Sequence, residues 1–461
     1  MAGTGSGDFA PSVCEVLNAV ITSHSGNKKT DIAQMVTKFE INQSMNSMSY
    51  YGSITVQDSI GLLETFPLRS EETLDLKIKG YDLNTEVNMK THIFRIDNIQ
   101  ASESSGQVIY DINFVSNISY NASKRKITKA YQSSISDISK KVFNTYFASL
   151  GNTRYLDDNN RTLEFATARH TISEEPDRSL FVQPTANMVK CVIPNMIPTE
   201  AMHFLYTQAY QPETPSNSFK FFETLKNFYF ASDEYFIKTA QRKDLVNLFY
   251  APASSVDGTK PTDQTNRVEE IRIVSKGIDT ASDIFSGGYK NRVMELDLVR
   301  RQVVMNEFDY SKDASYIDMS GNPRNLADNP HTAQFREDTF TEENARDFTV
   351  FKDYQQVGDI PSSLHTDRYM PQIISNRLSY HEHLHATIVS CSMKGRIDIM
   401  PGMIVNLDIK SLDGISNLSR NATLSGRYMV ETTRHIRDDE NVLNATLTLV
   451  KFDWSKGEVD V

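Results

Sequence analysis

Cysteine is scarce in this chain: only Cys14, Cys191 and Cys391 occur among 461 residues. They stand far apart, with no CxxC and no Cys/His ligand spacing, which speaks against a disulfide framework and against a zinc finger or ribbon. Long apolar runs are missing too. No window approaches the roughly 18 continuous apolar residues of a membrane helix, so no membrane insertion is expected. The opening MAGTGSGDFAPS lacks the basic flank and apolar stretch of a secretory signal, and folding in a reducing cytoplasm is the expectation. Positive charge is in short supply. Lysine and arginine number 48 against 59 aspartates and glutamates, a net −11 that excludes tight nucleic-acid binding as the main task. Several catalytic signatures are absent as well: there is no G-x-S-x-G, no P-loop, and no G-x-G-x-x-G after a strand. A glycosidase would need two carboxylates at a set separation, which spacing in a chain this acidic cannot single out. Neither enzymatic activity nor a cofactor is expected.

What the chain does have is β-forming sequence in quantity. A hydrophobic share of 39%, with 20 Tyr and 24 Phe, fills several small cores, and the length asks for at least two domains. Residues 1–30 read as an N-terminal extension. From 31 to 123, short runs such as YYGSITVQDS, ETLDLKIKGYD and VIYDINFVS are separated by turn residues. Leu74, Leu76 and Ile78 alternate with Asp75, Lys77 and Lys79, as do Tyr110, Ile112 and Phe114 with Ile109, Asp111 and Asn113. Five or more such strands predict a small barrel or sandwich.

Helical spacing takes over in 124–215, which reads as an α/β domain. Ile135, Ile138, Val142, Phe143, Tyr146 and Phe147 form one stripe behind a capping box of Ser134 and Asp137. A second helix is expected where Pro198 opens a first turn and Met202, Leu205, Tyr206 and Ala209 recur at helical spacing. FKFFETLKNFYF then predicts a hairpin turning at Leu225–Asn227. Residues 216–240 and 378–455 read as the two parts of a second β-barrel, turning at Pro401–Gly402 and at DDEN. The intervening 241–377 is then an insertion domain, polar and extended from about Ser311 to Asp367. The expected fold is mainly β with α/β parts: two small antiparallel β-barrels, an α/β domain and an insertion.

Several segments, in order and over more than 400 residues, carry a resemblance. They are YYGSITVQDSIGLLETFPL with ETLDLKIKG, KITKAYQSSISDISKKVFNTYF, IPNMIPTEAMHFLYTQAY before the aromatic hairpin, IDTASDIFSGGYKNRVMELDLVRRQVVMNEFDY, and IDIMPGMIVNLDI with LSGRYMVETTRHI and TLTLVKFDW. This series resembles the baseplate hub family of contractile-tailed, T-even-type bacteriophages, related to the hub part of type VI secretion spikes. The resemblance implies two tail-tube-like barrels, the second interrupted, alternating around a homotrimer so that three chains present six barrels. A structural virion protein follows from it, one that adapts a sixfold tail tube or tube-initiator protein above to a threefold central spike below. Baseplate wedge proteins would surround it, and genomic DNA would pass through its lumen on ejection. It would be assembled in the host cytoplasm and reside in the virion tail baseplate. A hub of a non-phage contractile injection particle is the close variant. A tail-associated cell-wall hydrolase or glycan-binding protein is the competing class.

One chemical feature stands out. His381, His383 and His385 in YHEHLHA alternate, so on a strand they would share one face and could ligate a metal. Lacking a carboxylate or cysteine at a second fixed spacing, the three read better as a polar strand face or an interface, and no metal is assigned. The basic cluster Lys124, Arg125, Lys126 and Lys129 reads as a solvated edge. Phe219, Phe221, Phe222, Phe228, Tyr229 and Phe230 in the hairpin read mostly as core.

Overall fold

The computed structural model describes residues 13–66, 68–80, 85–101, 107–147, 153–155, 171–173, 179–214, 216–240, 245–250, 265–276, 285–287, 290–298, 301–309, 346–351, 364–410, 420–421 and 423–452. Most of the polar stretch 311–367 therefore lies outside the described residues.

The first module holds β1 (Cys14–Thr22), β2 (Lys29–Asp31), β3 (Val36–Ser44), β4 (Tyr51–Asp58), the short helix α1 (Leu62–Thr65), β5 (Thr73–Gly80), β6 (Thr85–Ala101) and β7 (Val108–Ser116). Period-two sequence makes these strands because one face can be apolar throughout. Leu74, Leu76 and Ile78 of β5 and Tyr110, Ile112 and Phe114 of β7 are buried, as their alternation predicts. The strands run β1–β5–β6–β7–β4–β3, antiparallel at every step, and β2 lies on the outer edge of β1.

The helical part follows with α2 (Asn117–Ser123), β8 (Ile127–Ser134) and α3 (Ile135–Tyr146). Ser134 caps α3, its hydroxyl accepting the Asp137 amide at 3.2 Å. The predicted stripe is the buried face: Ile135, Ile138, Val142, Phe143 and Phe147 face inward. Beyond it come β9 (Thr153–Tyr155), β10 (Thr171–Ser173), β11 (Leu180–Val182), β12 (Met188–Met196) and α4 (Pro198–Thr207), with Pro198 in the first turn. The hairpin β13 (Phe219–Glu223) and β14 (Phe228–Ser232) forms where the aromatic pattern predicts it. It does not enter a barrel, however. β14 pairs with β11, which pairs in turn with β9, so the hairpin builds a four-stranded sheet under the helices. All six hairpin aromatics are buried. Phe221 and Phe228 pack with Phe143 of α3 and with Phe147 just after it on one face, the Phe143 and Phe228 rings 5.0 Å apart, while Phe222 and Tyr229 serve a separate core on the other.

After α5 (Asp233–Thr239), a second barrel is built from β15 (Val246–Tyr250), β16 (Arg267–Lys276), β20 (Thr387–Lys394), β21 (Ile404–Ile409), β22 (Gly426–Arg437) and β23 (Leu443–Lys451). It opens at Val246, inside the stretch expected to be an insertion, and closes through β22–β23. β15 is inserted parallel between β16 and β21. Between β16 and β20 the chain forms a three-stranded sheet of β17 (Lys290–Asp297), β18 (Gln302–Asp309) and β19 (Arg346–Phe351), then helix α6 (Met370–Leu384), which packs on β17.

The two modules repeat one plan. In chain order β1, β3, β4, β5, β6 and β7 match β15, β16, β20, β21, β22 and β23, and the neighbour order β1–β5–β6–β7–β4–β3 becomes β15–β21–β22–β23–β20–β16. Two of the irregularities repeat as well. β3 slips between Val36 and Lys38 and β16 between Val268 and Glu270, while β6 slips between Ile93 and Arg95 and β22 between Val430 and Thr432. Only the first strand differs in direction, β1 being antiparallel to β5 and β15 parallel to β21.

The modules are joined edge to edge. Phe39–Ser44 of β3 pair antiparallel with Arg437–Thr432 of β22, making one fourteen-stranded sheet over one continuous core. Arg434 grips Glu40 across this seam through two hydrogen bonds of 2.9 and 2.7 Å, and Gln43 donates to Thr433 at 3.2 Å.

Candidate functional site

The three histidines do not lie on a strand. Helix α6 runs through Leu384, which places His381 and His385 one turn apart with rings stacked at 4.2 Å; the side chain of His383 lies outside the described residues. The helix forms because Pro371 can occupy a first turn and Ile373, Tyr380 and Leu384, all buried, recur at helical spacing. The alternation of histidines masks this spacing.

His385 reaches Glu431 of β22, the unpaired residue at that strand's bulge. Its Nδ1–H donates to the His381 carbonyl at 2.8 Å and its Nε2–H to Glu431 Oε1 at 2.9 Å. Burial favours a neutral ring, yet the Glu431 hydrogen bond and charge outweigh it and raise the His385 pKa. Burial likewise works against Glu431, but the His385 partner, Lys220 and the Asn46 amide at 2.8 Å bring its pKa down to about 2. With both ring nitrogens facing acceptors, the protonated ring is the favoured form of His385, and in that form it has no lone pair to offer a metal. His381 keeps an exposed ring, its pKa lowered by partial desolvation and by His385.

Around this pair the fold collects more charge. Lys220 of β13 approaches Asp233, the first residue of α5, at 3.3 Å. Asp233 is fully buried and its pKa is raised by desolvation, against the pull of Lys220. Next to it Glu234 is pushed up to about 7 by burial. Arg377 of α6 donates to the carbonyls of Tyr206 and Thr207 at the end of α4, at 3.2 and 2.9 Å, and to Asn217 at 2.7 Å, tying two helices with one guanidinium. Lys220, Asp233, Arg377 and His381, together with Met45 and Tyr380, line a cleft of about 240 Å³.

Chemically the arrangement sets the basic groups of Lys220 and His385 against the carboxyl groups of Asp233 and Glu431. Among the described residues no group of three or more His, Cys, Asp or Glu is placed to hold a metal ion. The cluster sits where hairpin sheet, helix α6, the turn after β3 and the second barrel meet, and it fixes their relative positions. Sequence reasoning found the histidines but missed Glu431, Asp233, Lys220 and Arg377. A signal existed for Asp233: Ser232 followed by two acids is a helix start, and the Ser232 hydroxyl does cap α5 by accepting the Tyr235 amide at 3.3 Å. Nothing in the spacing marks Glu431. The basic cluster is a surface edge, with Lys124 over the Tyr120 ring at 4.2 Å and Arg125 on the Thr145 carbonyl at 3.3 Å.

No family model matches the sequence, and no curated protein matches it. In structure the chain is similar to the 43 kDa tail protein of prophage MuSo2 from Shewanella oneidensis, with a TM-score of 0.50 at 10% identity, over 94% of this chain and 98% of that one. A tail protein from Neisseria meningitidis MC58 gives 0.48 at 11% identity, over 94% and 96% of the two chains. A type VI secretion system component of Escherichia coli gives 0.41 at 8%, over 95% and 77%. The Shewanella likeness is one of fold.

Proposed function

We propose that this chain, which has the fold of a phage tail protein, is the homotrimeric hub of a contractile-tail baseplate. Three copies present six β-modules in a ring, so that one face matches a sixfold tail tube while the other keeps the threefold of a central spike. The observation that carries this reading is the internal repeat: two modules of one strand order, sharing two bulge positions, joined in one chain. A chain that repeats itself once turns threefold symmetry into pseudo-sixfold symmetry. The net −11 suits a channel wall that DNA slides past without sticking. Wedge proteins pack around the hub, which is assembled in the host cytoplasm and carries no chemistry of its own.

Light scattering on the purified protein, alone and with tube and spike partners, tests the reading. A mass three times the 52.2 kDa of one chain, with six lobes in end-on images, is expected. A persistent monomer in the presence of both partners rejects it. Clearing of a peptidoglycan gel by the purified chain, lost on substitution of one carboxylate, would instead make it a hydrolase.

A further inference from the structure

One seam of the ring is already visible inside the chain, β3 against the second half of β22. The repeat identifies what the other seam is made of. In the second module β3 corresponds to β16, and in the first module β22 corresponds to β6. Both counterparts are open. Among the described residues, β6 from Phe94 onward pairs only with β7, and β16 from Glu270 onward only with β20. The edges that are free in one copy are therefore the equivalents of the two edges that are joined.

Matching the bulges fixes the correspondence residue by residue. Thr432, which follows the bulge in β22, corresponds to Arg95 in β6, so Arg434 corresponds to Asp97; a second slip in β6 between Asp97 and Gln100 then sets Asn98 and Ile99 together against His435, Gln100 against Ile436 and Ala101 against Arg437. Lys38, which follows the bulge in β3, corresponds to Glu270, so Phe39, Glu40 and Ile41 correspond to Ile271, Arg272 and Ile273. Side chains covered at the internal seam have uncovered counterparts. His435 and Arg437 are buried, whereas Asn98, Ile99 and Ala101 are exposed. Phe94 and Ile99 on β6 and Val274 on β16 are 46%, 58% and 55% exposed, apolar surface that an edge strand leaves open to pairing. Charge is matched too. The internal seam is clasped by Arg434 and Glu40, and the same two positions on the open edges carry Asp97 and Arg272. The clasp recurs with its polarity reversed.

We infer that copies of this chain join by strand addition, β16 of one copy pairing antiparallel with the second half of β6 of the next. Ile271 and Arg272 lie opposite Ala101 and Gln100, Ile273 faces the Asn98–Ile99 bulge, and Arg272 reaches Asp97. The contact is head to tail, and with the threefold rotation of the trimer it closes into a ring in which internal and intermolecular seams alternate. This rests on the trimer reading above and adds the edges, the register and the clasp to it.

Charge reversal with rescue is the test, read by sedimentation across a dilution series. Asp97→Arg and Arg272→Asp singly are expected to raise the concentration at which the trimer dissociates by about tenfold or more, since three seams per ring compound the loss. The double variant recovers most of the wild-type behaviour. Thermal melting of each variant monitors the fold, because Asp97 also accepts from Asn113 at 2.9 Å within its own chain. Independently, Gln100→Cys with Arg272→Cys in one chain gives disulfide-linked dimers and trimers on a non-reducing gel, and either cysteine alone does not. A wild-type chain that stays monomeric with its partners present overturns the trimer reading and this inference together. A trimer indifferent to both reversals, whose cysteine pair never links, overturns the strand pairing alone.

Discussion

The His385 imidazole and the Glu431 carboxylate meet at 2.9 Å between helix α6 and strand β22, and each fixes the charge of the other. Glu431→Gln keeps the shape and removes the charge, leaving an imidazolium short of its counterion. A loss of about 2–4 kcal/mol is expected, read as a lower urea midpoint. The double variant His385→Gln/Glu431→Gln should cost less than the sum of the two single changes. Additive losses would show that the pair is not coupled.

Acid should weaken the fold in two windows. His435 lies fully buried in β22, its Nε2–H donating to the Arg396 carbonyl at 3.0 Å, and burial holds its pKa down to about 4. A histidine lowered from 6.5 leaves its full stability in place above pH 6.5 and loses it as pH falls through 4, about 3 kcal/mol in all. Glu431, lowered to about 2, adds a second loss as pH falls from about 4.5. His385, raised, works in the other direction: its contribution is present below pH 6.5 and fades as pH rises through its folded value. A melting-temperature profile of His435→Gln should be flatter than wild type between pH 6.5 and 4. An unchanged slope would show that another group titrates there.

Gly52 of β4 has no room for a side chain. A Cβ there would collide with the Glu40 carbonyl and lie 2.6 Å from the Phe114 ring, so backbone as well as side chain must yield. Gly52→Ala is expected to cost about 3 kcal/mol or more, with soluble expression and circular dichroism as readouts. Wild-type stability in this variant would mean that β3 and β4 can separate at no cost.

Arg396 and Asp398 form a buried pair through two hydrogen bonds of 2.7 and 2.9 Å. Asp398→Ala strands the guanidinium and should cost about 3–5 kcal/mol, whereas Arg396→Met/Asp398→Leu should recover much of it by replacing charge with packing. Equal destabilisation of the single and double variants in chemical denaturation would count against this account.

Much of this fold can be read before it is seen. Leu74, Leu76 and Ile78 announce their strand by alternation, and Ile135 to Phe147 their helix by a stripe, because in both cases one face meets a core and the other meets water. The hairpin was legible as a hairpin but not in its place. With Phe221 facing one core and Phe222 another, both of its faces are apolar, and nothing in the pattern says which sheet it joins. Short strands at intervals also conceal their partners, which is why β15 and β16 looked like part of an insertion. The histidine segment misled for a different reason: polar residues at alternate positions satisfy a strand pattern, while the helix is set by Ile373, Tyr380 and Leu384. Bulge positions and the Glu431 contact depend on pairing across distant sequence and leave no local trace.

The seam between β3 and β22 has a mechanical meaning. Its six residue pairs run side by side along the strands, so a pull directed along them loads all six pairs in parallel rather than one after another. A joint loaded in this way fails by sliding, which requires every pair and the Arg434–Glu40 clasp to break in concert. The two modules therefore behave as one stiff block under axial force, without a hinge where one strand sequence ends and the other begins.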